Sequence, residues 1–107
     1  MVEVTVSRQA DGTGQVKLQS AAGWELNFYA SLGELRRLRS VEGMSWRDRR
    51  SLAIGMCAGA PVFWCEQDRQ VTILVGHDDE TWDVSVTVPL ATVDDILRLA
   101  ELEIGAP

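Results

Sequence analysis

Two stretches of the chain hold residues whose types could do chemistry. The first is "HDDETWD", which crowds His77, Asp78, Asp79, Glu80 and Asp83 into seven positions. Oxygen donors at that density suit a hard cation. The spacing is neither that of an EF-hand loop nor that of a helical HExxH site. Asp and His also serve in tight turns, so a solvated hairpin turn accounts for them and no metal is assigned. The second stretch runs from Arg36 to Arg50. It holds six of the ten basic residues (Arg36, Arg37, Arg39, Arg47, Arg49, Arg50) against two acids, Glu42 and Asp48. That span carries a formal +4 and the rest of the chain −10. Arginine suits bidentate recognition of carboxylate or phosphate better than lysine does, and Trp46 beside it could stack a base or anchor a partner.

Other constellations are weaker. Cys57 and Cys65 stand eight positions apart, and the only histidine, His77, is remote from them in sequence. A zinc site would lack ligands, and a small secreted scaffold carries more disulfides than one; free thiols are expected. Ser51 sits in no GxSxG elbow. The glycines of "DGTG" (Asp11 to Gly14) join two strands of a hairpin instead of following a strand into a helix. One histidine and scattered carboxylates do not make an acid–base pair. No catalytic residue and no cofactor is assigned, and the chain does not read as an enzyme.

The charge pattern points instead to a binding protein. From Glu66 to Glu103 there are ten acids against Arg69 and Arg98, a formal −8. Such a field steers a basic partner. The expected function is a non-catalytic protein-binding domain, an inhibitor of immunity type or a small adaptor. Asp78, Asp79, Glu80 and Asp83 are the candidate contacts. The alternative is a ligand-binding or catalytic domain that reads phosphate, carboxylate or nucleic acid through Arg36, Arg37, Trp46, Arg47 and Arg50, with a pocket near Gly55 to Ala60. A sequence pI near 4.6 argues against nucleic acid, whose binders carry a basic footprint.

These residues need elements to hold them. The length of 107 residues, 46% apolar and 24% charged, is that of one ordinary domain spanning residues 1–107. "VEVTVS" (2–7), "QVKLQS" (15–20) and "WELNFY" (24–29) alternate with period two and are separated by turn residues, which predicts an antiparallel meander. Ser31 and Glu34 have capping-box spacing. Leu32, Leu35 and Leu38 then recur at helical spacing, and that helix should end near 40–43. Ser45 and "WRDRRSLAIGMCAGA" predict a further helix over about 45–59, closed by Pro61. "PVFWCE", "QVTILVG" and "WDVSVTVP" are three more strands, the last with Trp82, Val84, Val86 and Val88 on one face. Thr92 and Asp95 suggest a second capping box, and Val93, Ile96, Leu97 and Ala100 the apolar stripe of a final helix. Both faces of "PVFWCE" are apolar, with Val62 and Trp64 opposite Phe63 and Cys65, so a second layer or a second copy of the chain should cover the outer one.

"WELNFYASL" (24–32) and "WDVSVTVPL" (82–90) match closely. They suggest two βββα pseudo-repeats, about 1–43 and 61–107, with an extra helix between them and the helices packed on the sheet: an α+β fold. The tail "WDVSVTVPLATVDDILRLAELEIGAP" resembles the tails of some small bacterial immunity proteins that neutralise toxins. The resemblance covers a quarter of the chain and includes no diagnostic residue, so it implies no site. "MVEVTVS" reads as a strand, not a secretory leader. No apolar run approaches about 18 residues, and the expected compartment is the cytoplasm.

Overall fold

The computed structural model describes residues 2–105. The fold is α+β, one seven-stranded antiparallel sheet in simple meander order from β1 to β7, with two helices. The strands are β1 (Val2–Arg8), β2 (Thr13–Ser20), β3 (Glu25–Ser31), β4 (Leu52–Cys57), β5 (Ala60–Gln67), β6 (Gln70–Gly76) and β7 (Trp82–Pro89). Helix α1 (Leu32–Leu35) runs on as a 3₁₀ helix (Arg36–Gly43), a short 3₁₀ turn (Trp46–Asp48) precedes β4, and α2 (Leu90–Ile104) ends the fold.

Alternation decides which face each strand buries. Val6, Val16, Leu18, Leu26, Phe28, Val62, Trp64, Val71, Ile73 and Val88 are buried on the inner face, where each contributes about 1.5–3 kcal/mol of burial. Leu35, Leu38 and Val41 from α1 and its 3₁₀ extension, and Val93, Ile96 and Ala100 from α2, join the same core. Helix α2 leaves β7 and packs chiefly on β1 and α1, so it crosses the inner face from the last strand to the first. Trp64 anchors the centre. Its Nε1–H donates to the Ile54 carbonyl at 3.0 Å, and its ring meets Phe28 edge-on at 5.3 Å.

The Ser31 cap forms as its spacing predicts. The Ser31 hydroxyl accepts from the Glu34 N–H at 3.0 Å, and a Glu34 carboxylate oxygen accepts from the Ser31 N–H at 3.4 Å. The second expected box does not form. Helix α2 begins at Leu90 with Pro89 at its cap, because the Leu90 N–H donates to the Arg69 carbonyl in the β5–β6 turn at 2.9 Å. Thr92 lies inside the first helical turn and is buried.

The expected helix over 45–59 is replaced by a 3₁₀ turn and strand β4. Leu52 and Ile54 fit a strand period as well as a helical one, and pairing with β5 selects the strand. Gly55 takes φ +91, a conformation no helix contains, and Ala58 and Gly59 turn the chain into β5 with φ of 50 and 84. The second half of the chain therefore carries four strands before its helix where the first carries three. The two matching segments agree at their ends: Leu32 and Leu90 are each buried to 7% exposure as they enter a helix. They differ at their starts. Trp24 packs partly against the core, whereas Trp82 is half-exposed on an edge strand.

No helix among the described residues is long and apolar enough to cross a membrane.

Candidate binding cleft

The outer face of the sheet is divided. Over β1–β3 it is polar, with Thr5, Ser7, Gln15, Lys17 and Gln19 exposed or half-buried. Over β5 and β6 it is apolar. Cys65 and Leu74 are buried at 5% and 4% exposure although they point away from the core. Two tryptophans border them. Trp46, Trp82, Cys65, Glu66, Gln67, Thr72, Leu74 and Ser85 line one cleft of about 220 Å³.

Each wall of the cleft has a local cause. Strand β4 pairs with β5 only as far as Leu52 opposite Trp64. Beyond that point the Met44 carbonyl accepts the Glu66 N–H at 2.9 Å, so the segment after the 3₁₀ helix takes the place of a strand there. A tight turn follows. The Asp48 and Arg50 N–H groups both donate to the Ser45 carbonyl at 3.1 Å, and Arg49 adopts a left-handed conformation with φ 54. This turn carries Trp46 to the cleft, where it is 39% exposed.

Trp82 arrives by a different route. The β6–β7 register shifts between Val75 and Gly76, where a Cβ on Gly76 would collide with the backbone of Thr81 and Trp82. The shift explains why Trp82 lines a cleft with outer-face residues instead of continuing the inward row of Val86 and Val88. A bulge re-aims a side chain in this way. Val84, opposite Val75, stays on the inner side but is 43% exposed at the sheet edge.

None of the candidate acidic residues lines this cleft, though Glu80 borders a neighbouring hollow with Trp46, and three of the four hold partners within the chain. Asp78 accepts from the Glu80 and Thr81 N–H groups at 2.8 and 2.6 Å. The Glu80 N–H foremost holds its carboxyl below the usual carboxylate range. The Asp79 carboxylate accepts from the Ser51 hydroxyl at 2.8 Å, and Glu80 pairs with Arg49 at 3.0 Å. Asp83 is exposed on β7. Among the described residues no three His, Cys, Asp or Glu side chains cluster as a metal site would require.

The arginine-rich span is split. Arg36 makes a bidentate pair with Glu101 of α2 at 2.7 and 3.1 Å, and Arg39 reaches the same carboxylate at 3.2 Å. Arg37 donates to the Ala53 carbonyl at 3.3 Å. These three fasten the 3₁₀ helix to its neighbours. Arg47 and Arg49 border a second, shallower hollow with Trp46 and Glu80, and Arg50 is exposed. Residues Gly55 and Met56 of the expected 55–60 pocket lie in a further hollow with Tyr29 and Pro61.

Both cysteines are free, Cys57 half-buried and Cys65 buried. Burial, and then the negative charge of Asp79, push the Cys65 thiol up. It is a neutral thiol on the cleft floor, not a nucleophilic thiolate.

What sequence reasoning missed is that the acidic turn and the Trp46 turn meet through the Arg49–Glu80 pair, at the hollow beside Trp46, and neutralise each other in part. The signal for an outer-face site was the apolar second face of "PVFWCE" and the almost unbroken apolar run "VTILVG". Compared with protein-family models, with curated proteins and with solved structures, the chain finds no match.

Proposed function

We propose that this is a non-catalytic domain that binds another protein on the outer face of its sheet, with the Trp46–Trp82 cleft as the anchoring point. The observation that carries the reading is a pair of half-exposed tryptophans, 39% and 46% accessible, over a floor of Cys65 and Leu74. Exposed apolar patches rimmed by polar groups mark interaction sites. Tryptophan is the residue most enriched where binding energy concentrates. The charged groups of the neighbouring hollow, Arg47, Arg49 and Glu80, would act on orientation and encounter rate more than on affinity. An inhibitor and a small adaptor would use such a face alike, and a basic partner suits the net charge of −6.

The competing ligand-binding or catalytic reading has less support. The hollows beside Arg47 and Arg49 and beside Gly55 and Met56, at about 470 and 490 Å³, reach small-molecule size, with Arg49 of the first already paired with Glu80; the cleft, at about 220 Å³, falls below the roughly 300–1,000 Å³ typical of such sites. It offers no nucleophile–base pair.

The test is affinity capture from the native cell with the wild-type chain and with a Trp46→Ala, Trp82→Ala double variant of unchanged stability. The reading requires a protein retained by the first and lost by the second. Identical retained sets overturn it.

A further inference from the structure

Strand β7 is one edge of the sheet, and its register fixes where its peptide groups point. The Leu90 N–H donates to the Arg69 carbonyl, in the same register that pairs Pro89 with Gln70. Peptide groups of an antiparallel strand alternate between facing the partner strand and facing away. Val84, Val86 and Val88, in phase with Leu90, therefore direct theirs at β6, and Ser85 and Thr87 direct theirs out of the sheet. From this we infer that two copies of the chain pair β7 with β7, antiparallel, about a two-fold axis at Val86. Ser85 of each copy then exchanges main-chain hydrogen bonds with Thr87 of the other.

Three observations favour a second copy as the occupant of this edge. The first is self-complementarity. A two-fold interface sets residues of one segment against residues of the same segment. Here Val86 faces Val86 and Val84 faces Val88 on the inner side, and Ser85 faces Thr87 on the outer. Cross-strand pairs of these types stabilise a sheet. The second is charge. The stretch from Val84 to Val88 holds no charged side chain in a chain of net −6, so two copies meet there with no acid opposite an acid. Asp83 faces Pro89 of the second copy, and the two Asp83 positions stand roughly 20 Å apart along the ladder. The third is the contrast between the two edges. Exposed edges are normally guarded by charges, proline or a covering element. Strand β1 carries Glu3 and Arg8, and Asp95 and Arg98 of α2 border a hollow against it. On β7 the guards stand only at the ends, with Pro89 at one and Asp83, beside the register shift, at the other. Val84 lies half-exposed between them. The pairing also sets Ser85, which lines the cleft, beside Thr87 of the second copy, so the two clefts open on one continuous outer face. The inference stands apart from the protein-binding reading, because β7 is free to self-pair whether or not the cleft is filled.

A ladder this short falls below the roughly 20–30 residues a side of a standard interface, so the dimer should be weak and reversible. The experiment is sedimentation velocity and amide hydrogen exchange on the full, isotope-labelled chain at about 0.02 and about 1 mM. Sedimentation should show monomer at the lower concentration and a substantial dimer fraction at the higher. Protection of the Ser85 and Thr87 amides should rise about twofold or more over that range. The Val84, Val86 and Val88 amides, turned to β6 in either state, should change less. Ser85→Pro removes an outward donor and sets a ring against the incoming strand without taking a bond from β6, and should abolish both effects. Val84→Lys, a charge at an exposed edge position, should do the same and serves where the proline disturbs the fold. Because the two copies carry like net charge, raising the salt from about 0.05 to about 0.5 M should strengthen the dimer. The inference is overturned by a chain still monomeric at about 1 mM, or by protection gained on β1 or elsewhere instead of at Ser85 and Thr87. A dimer that both variants leave intact overturns it too, as does one weakened by salt, which charged pairs would be holding.

Discussion

Arg49 and Glu80 meet at 3.0 Å, and their contact ties the turn that carries Trp46 to the turn that precedes Trp82. Both side chains are largely exposed, at 81% and 63%, so the pair is worth only about 0.2–1 kcal/mol. Its role is geometric. Glu80→Gln should leave the urea midpoint almost unchanged while shifting the Trp46 and Trp82 indole signals. A midpoint loss comparable to that of a core substitution would assign the pair a structural role instead.

The Asp79 carboxylate accepts from the Ser51 hydroxyl at 2.8 Å, and its charge adds to burial in raising the Cys65 thiol. Asp79→Asn removes the charge and leaves the burial. In a Cys57→Ser background, the pH midpoint for alkylation of Cys65 should fall on this substitution yet stay above that of an ordinary thiol, because burial is the larger cause. A midpoint that is unmoved or rises would show that Asp79 does not act on the floor.

Trp64 and Trp82 offer a paired comparison. Trp64 is fully buried, hydrogen-bonded and in ring contact with Phe28, so Trp64→Ala should cost about 3–5 kcal/mol. Trp82 is half-exposed on an edge strand, and Trp82→Ala should cost about 1 kcal/mol or less, within the range of surface substitutions. Urea unfolding of the two variants measures both. Similar losses at both positions would mean that Trp82 is a core residue and not a binding one.

Gly55 is a stricter case. At φ +91 its Cβ would stand 2.9 Å from Phe28 Cδ2 and 3.1 Å from the Tyr29 carbonyl oxygen. Gly55→Ala should therefore destabilise by about 1–3 kcal/mol through backbone strain alone, with more from the displaced Phe28 ring. A neutral effect in thermal unfolding would show that the bulge in β4 relaxes freely.

Most strands were legible because their information is local. Val16 and Leu18, or Leu26 and Phe28, alternate between turns, and Ser31 and Glu34 cap a helix three residues apart. Strand β4 was not legible, because Leu52, Ala53 and Met56 satisfy helical spacing as well. The decision came from pairing with β5 and from the φ of Gly55, neither visible in a window of residues. The orientation of Trp82 depends on a register shift against Gly76, six positions earlier and on another strand. The candidate residues were legible as types and not as a site: Arg49 and Glu80 are 31 positions apart, and nothing in either segment names the other.

The Arg36–Glu101 pair gives the chain a defined response to acid. The hydrogen bond from Arg36 is the foremost cause that holds the Glu101 carboxyl below its ordinary range, followed among the lowering causes by the charges of Arg36 and Arg39. Asp78 is depressed by the turn N–H groups, Asp11 by Thr13 and Glu25 by Asn27. A carboxyl depressed in the folded chain binds protons more readily when unfolded. Its contribution to stability is present above the ordinary carboxylate value, about pH 4, and is lost as pH falls through the lower folded value. Stability should therefore be flat from about pH 7 to pH 5 and decline below about pH 4. Glu101→Gln should lower the urea midpoint at pH 7 by a small amount, and the difference from wild type should shrink as pH falls through the lowered folded value, below which Glu101 is protonated in both states. A difference that persists unchanged into acid would mean that the Glu101 side chain acts by packing against Arg36 and not by its charge.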